Sequence, residues 1–152
     1  VTNNENSDET GMVVAGQGVD SRYYVFEDVS GKMTPDSWGR LAVDMFYKYQ
    51  ADRIVAEVNN GGDLVERLIR TIDNNVPYTP VHAARGKIIR AEPIAALYEQ
   101  KKVSHVGMFS ELEEQMCSYT GVSKKSPDRL DALVWAITEL SQSSGTAYWR
   151  IS

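Results

Sequence analysis

The chain has 152 residues, is 42% hydrophobic and carries a net charge of −5, which fits one ordinary domain with a real core. Its single cysteine, Cys117, excludes an internal disulfide framework and a multi-cysteine zinc site, and two histidines, His82 and His105, are too few for a histidine-rich metal centre. The acidic mean argues mildly against unaided nucleic-acid binding. With no apolar run of membrane-spanning length and no signal peptide in view, a soluble chain from a reducing compartment is expected.

Residues 1–10 are polar and lack an initiator Met, so they read as a loop entered in mid-course, in a piece of a longer protein. Gly11 to Gln17 is a short apolar run, Gly18-Val19-Asp20-Ser21 a turn, and Arg22 to Val29 a second strand-like run, which together predict a β-hairpin. Thr34-Pro35-Asp36 opens a helix with Trp38, Leu41, Ala42, Met45, Phe46 and Tyr49 on its apolar face. Arg53 to Val58 is a β-branched-rich strand, Asn59 to Gly62 a loop, and Asp63 to Ile72 a helix. Thr79 to Ala83 is a short strand, and Ile88 to Gln100 a helix in which Pro93 marks the first turn or a kink. Val103 to Val106 is a short strand, Leu112 to Tyr119 a helix, and Pro127 to Gln142 the last strong helix. A hairpin followed by alternating strands and helices predicts a mixed sheet with helices packed on it, forming a single domain over residues 1–152.

The last helix holds the densest chemical signal. Pro127 suits a first helical position and Ser126 can cap the free amides there. Leu130, Leu133, Val134, Ile137 and Leu140 form an apolar stripe, and Asp128 and Asp131 flank it on one side of the helix. Asp131 lies beyond the turn where the helix dipole rewards an acid, so it is a stronger site candidate than Asp128; a surface aspartate or a partner for Arg129 is the plainer alternative. Glu57 ends a strand, where ligands of open α/β sheets gather, or else simply reaches solvent as the strand runs out. Asp8 and Glu9 are weaker candidates, since polar loops are full of acids. The turn Asn59-Asn60-Gly61-Gly62-Asp63 has amides that could meet a phosphate, but lacks the lysine and spacing of a Walker A loop. Arg85, Lys87 and Arg90 form either a phosphate grip or a solvated basic face. Nothing supports nucleophilic catalysis, and Cys117, beside Met116 and Tyr119, reads as a core residue.

Taken in order, Val55-Ala56-Glu57-Val58-Asn59-Asn60-Gly61-Gly62-Asp63, Arg85-Gly86-Lys87, Ala91 to Glu99, Phe109 to Met116 and Ser126 to Ala136 resemble the C-terminal nuclease domain of tailed-phage terminase large subunits. The resemblance runs from about Asp8 to Leu140. It implies an α/β, RNase H-like mixed sheet flanked by helices, with the family's first strand, and the acid that ends it, expected before Val1 and missing from this chain. It also implies a metal-dependent endonuclease that cuts concatemeric double-stranded viral DNA in the host bacterial cytoplasm. Carried over, Glu57 and Asp131 are metal-binding carboxylates, Asp128 is an additional ligand or water-positioning group, and Asp8 falls in a loop where the family also carries an acid. Two Mg²⁺ or Mn²⁺ ions roughly 4 Å apart would activate water and stabilise the leaving 3′ oxygen, and oxygen-only ligands suit these hard cations. Arg85, Lys87 and Arg90 would hold the DNA backbone. The implied partners are an ATPase domain of the same parent chain, the portal protein and the small terminase subunit, with no membrane. Short of one acid, the chain by itself is expected to cut weakly or not at all. Alternatives are another RNase H-like nuclease, such as a junction resolvase, or a non-catalytic module that docks DNA or the packaging motor.

Overall fold

The apolar run at the start of the chain lacks polar alternation, as expected of a strand covered on both faces. In the computed structural model, which describes residues 10–58, 63–82, 87–118, 128–142 and 148–151, it forms β1 (Met12–Gln17), buried at every position but the last. β1 pairs antiparallel with β2 (Tyr23–Asp28), and the register slips between Val14 and Ala15, opposite Glu27 and Val25. The expected hairpin is therefore present, with a bulge.

Thr34 then caps α1 (Pro35–Lys48), its hydroxyl accepting from the Ser37 amide at 3.3 Å with Pro35 in the first turn. β3 (Arg53–Glu57), α2 (Asp63–Ile72), β4 (Tyr78–Val81), α3 (Lys87–Glu99), β5 (Val103–His105), α4 (Ser110–Ser118) and α5 (Asp128–Gln142) follow in the expected order, with ends shifted by a residue or two. The sequence patterning missed β6 (Tyr148–Ile151). Four residues are too few to register a period, and the Ser143-Ser144-Gly145-Thr146 composition before them reads as loop.

That short strand matters to the architecture. The sheet order is β4-β3-β6-β1-β2-β5, with β6 parallel to β3 and antiparallel to β1. Among the described residues the hairpin, extended by β5 parallel to β2, pairs with the β3–β4 half of the sheet only through β6. Helices cover both faces. Met12, Val14, Ile54 and Ala56 pack with Trp38, Ala42, Val43 and Ile69 of α1 and α2. Val13, Ala15 and Val55 pack on the opposite face with Ile94, Leu112, Leu133, Ala136, Ile137 and Leu140 of α3, α4 and α5. Burying each large aliphatic side chain contributes about 1.5–3 kcal/mol. Helices α1 and α2 come together at Gly39, where a Cβ would lie 2.9 Å from Ile72 Cδ1 and 3.0 Å from Leu68 Cδ2.

Two polar clusters tie the α5 face together. The His105 ring takes Tyr98 Oη on Nε2 at 2.7 Å and Glu113 Oε2 on Nδ1 at 3.0 Å, linking α3, β5 and α4. The His105 hydrogen bond, then that of the Phe109 amide, holds the Glu113 carboxyl below its usual range, while burial pushes the Tyr98 phenol up. Arg129, at the start of α5, reaches Asp28 Oδ2 at the end of β2 and Glu111 Oε2 on α4, each at 2.7 Å. Cys117, expected in the core, is exposed. Met116 is the residue of that turn packed on the core, and the next position along a helix turns away from it.

Candidate metal and nucleic-acid site

Helix α5 is positioned by its surroundings as much as by its own sequence. The Arg129 and Leu130 amides both donate to Gln115 Oε1 of α4, at 3.0 and 3.1 Å. A side chain from another helix thus satisfies two of the free amides at the start of α5. Ser126 and Pro127, the expected start signal, lie outside the described residues. Beyond that turn the expected stripe widens, and every residue from Asp131 to Ile137 is buried, because the sheet lies beneath α5 and α3 and α4 flank it.

Asp131 is therefore a buried carboxylate, 8% exposed, rather than a surface aspartate. Charges are taken out of water only when paired and hydrogen-bonded. One partner is Arg90 of α3, whose Nη1 lies 3.3 Å from Asp131 Oδ1. The same guanidinium stacks over the Trp135 ring, 4.8 Å from its centroid. Trp135 follows Asp131 by one helical turn and shares its side of α5.

Glu57 arrives from the sheet. Strand side chains alternate between faces, and Val55 belongs to the α5-side core, so Glu57 points to that side too. There the Trp135 indole Nε1–H donates to Glu57 Oε1 at 2.8 Å. Glu57, Trp135, Arg90 and Asp131 thus form one continuous chain of contacts drawn from β3, α3 and α5.

Through Trp135 and Arg90 the structure links Glu57 to Asp131, and it places Asp128 half-buried at the first position of the same helix. Arg90 turns inward to this locality instead of standing in a solvated basic row. Lys87 opens α3 one turn earlier. Asp8, Arg85 and the Asn59–Gly62 loop lie outside the described residues. Sequence reasoning gave Trp135 no role, naming it only within the stretch from Ser126 to Ala136. The signal was available, since a buried indole N–H needs an acceptor and Trp135 stands four residues after Asp131.

Two carboxylates held by nitrogen donors offer the oxygen-only donors that hard divalent cations prefer. Their chemistry fits part of a magnesium or manganese site. Among the described residues, no group of three or more His, Cys, Asp or Glu side chains could hold a metal ion, so the described acids supply at most two ligands together.

A six-stranded mixed sheet covered by helices on both faces, with an acid ending an inner strand and another on the last helix, defines an RNase H-like α/β domain. The family model of the terminase RNase H-like domain matches residues 2–140, and the chain belongs to that family. The match stops short of β6. No curated protein and no solved structure gives a significant match to the chain. No helix among the described residues is long and apolar enough to cross a membrane.

Proposed function

We infer that this domain is the endonuclease of a viral DNA-packaging terminase, hydrolysing phosphodiesters of concatemeric double-stranded DNA in the host bacterial cytoplasm. The observation that carries this reading is the convergence of Glu57, from the end of β3, and Asp131, from α5, on the shared Trp135–Arg90 contact. Glu57 and Asp131 are the leading metal carboxylates, with Asp128 beside them and Asp8 as a further candidate. Divalent Mg²⁺ or Mn²⁺ ions bound there would supply Lewis acidity at the phosphate and an activated water. The Trp135 N–H orients the Glu57 carboxylate, and burial of Asp131 fixes its direction. Lys87 at the start of α3 and Arg85 just before it hold the DNA backbone, positioning the duplex without selecting a sequence. The ATPase domain, the portal protein and the small terminase subunit are the partners this role requires.

Plasmid cleavage in Mn²⁺ tests the assignment, using this chain and a version extended upstream. Each is compared with its Glu57→Gln and Asp131→Asn variants. Cleavage by the extended protein that falls by about two orders of magnitude or more in each variant is the expected result. An extended protein that cuts nothing, or cuts equally well with both substitutions, refutes the assignment. A second reading, a non-cutting module that docks DNA or the motor, draws on the lack of a three-residue metal group among the described residues.

A further inference from the structure

A guanidinium keeps its charge at any pH the protein meets, so Arg90 is a permanent cation within the carboxylate locality. Its side chain is only 11% exposed and that of Asp131 10%. An arginine serving solely to attract DNA would keep its donors in water for phosphate oxygens. Arg90 instead lies on the Trp135 ring with Nη1 on Asp131 Oδ1, while the indole N–H holds Glu57. One positive charge is thereby fixed at the edge of the acid pair where a divalent cation would bind.

We propose that Arg90 is a positioning residue and resident counter-cation, which holds Asp131 in place on Trp135 and competes with a divalent ion for the Asp131 carboxylate. This rests on the carboxylate-pair reading given above. The sign of its effect follows from electrostatics. A guanidinium at Asp131 repels an incoming cation and shares its ligand. Removing it takes a cation from a buried carboxylate and destabilises the metal-free protein, so a bound ion restores more. An arginine that merely braced the site would act oppositely, since its loss would loosen the ligands and weaken metal binding.

The test is Mn²⁺ binding to the 152-residue chain, followed by calorimetry and by the electron paramagnetic resonance of free Mn²⁺. Arg90→Gln, Arg90→Lys and Asp131→Asn are compared with the parent, with circular dichroism reporting the fold. Arg90→Gln is expected to bind Mn²⁺ about tenfold tighter. It should melt below the parent without the ion and gain more in melting temperature on saturation. Arg90→Lys keeps the charge without the planar stack, so it should fall between the two, and it carries the comparison if Arg90→Gln does not fold. Asp131→Asn should lose binding. Equal or weaker binding by a folded Arg90 variant, with Asp131→Asn still impaired, overturns the role of Arg90 and leaves the carboxylate pair standing. No binding by any variant or the parent, or full binding by Asp131→Asn, overturns the carboxylate pair and the Arg90 role together. Failure of both Arg90 variants to fold assigns Arg90 to the framework and overturns the proposal.

Discussion

Replacing Arg129 by methionine would strip Asp28 of its cation while keeping most of the side chain's apolar bulk. The two side chains are 8% and 5% exposed and meet at 2.7 Å. The second partner, Glu111, is 70% exposed, and an ion pair to so exposed an acid contributes only about 0–1 kcal/mol. Most of the effect therefore comes from leaving Asp28 buried and uncompensated, at about 3–5 kcal/mol. Against a domain stability of about 5–15 kcal/mol, that is a large fraction. Urea unfolding followed by circular dichroism should show the midpoint falling by about 1.5–2.5 M for an m-value of about 2 kcal/mol/M. Adding Asp28→Asn removes the stranded charge and still leaves an oxygen to accept from the Ser30 amide, as Asp28 Oδ1 does at 3.0 Å. The double variant should accordingly recover about half or more of the loss, a coupling expected for residues in direct contact. A loss under about 1 kcal/mol for Arg129→Met, or effects of the two substitutions that simply add, would refute the reasoning.

The Tyr78 hydroxyl is buried and makes no hydrogen bond among the described residues, so Tyr78→Phe should stabilise the domain by about 1 kcal/mol at neutral pH, measurable as a raised urea midpoint. Burial, and secondarily the Glu66 charge, pushes this phenol from 10.0 up to about 12. Its contribution is present in full below pH 10.0 and is lost as pH rises toward about 12, so the gain from Tyr78→Phe should widen over that window; a gain that stays flat there contradicts the burial argument. Glu113 titrates in the opposite sense. With its carboxyl held low by His105, the stability it contributes is present above the ordinary glutamate range and is lost as pH falls through the lower folded value. Glu113→Gln should flatten the acid limb of a melting-temperature profile below about pH 4.5, and an unchanged limb would show that the His105 contact has no thermodynamic weight.

What the sequence made legible was local or periodic. The hairpin, the cap at Thr34 and the apolar helix faces each follow from residues within a few positions of one another. Glu57 was legible because it ends a patterned strand, and Asp131 because it borders a helical stripe. The site's connecting contacts were not, since each joins side chains far apart in the chain. Trp135 reaches Glu57 across 78 positions, and Arg90 reaches Asp131 across 41. Gln115 caps α5 from 14 residues upstream, which no rule about first-turn residues can find. Arg90 adds a contact that its place in a charge cluster does not reveal. It stands beside Arg85 and Lys87 in the sequence, and α3 carries its side chain to Asp131 and Trp135 of α5.

Arg90 and Arg129 present the same chemistry at two places and separate the framework from the site. Each is a nearly buried guanidinium against a nearly buried aspartate, and both belong to pairs that include α5. Arg129 also reaches Glu111, so three elements meet at it and its removal unties β2, α4 and α5. Arg90 stacks on an indole that holds a second carboxylate, so its removal alters the charge between two acids. Strand β6 adds a constraint on that pair. Among the described residues Glu57 ends a strand that pairs with the hairpin half of the sheet only through β6, whereas Asp131 rides on a helix packed over the other strands as well. The separation between the two acids therefore depends on β6 staying in register with both β1 and β3. A shift of β6 along either neighbour would move Glu57 relative to Asp131 without changing a single side chain at the site.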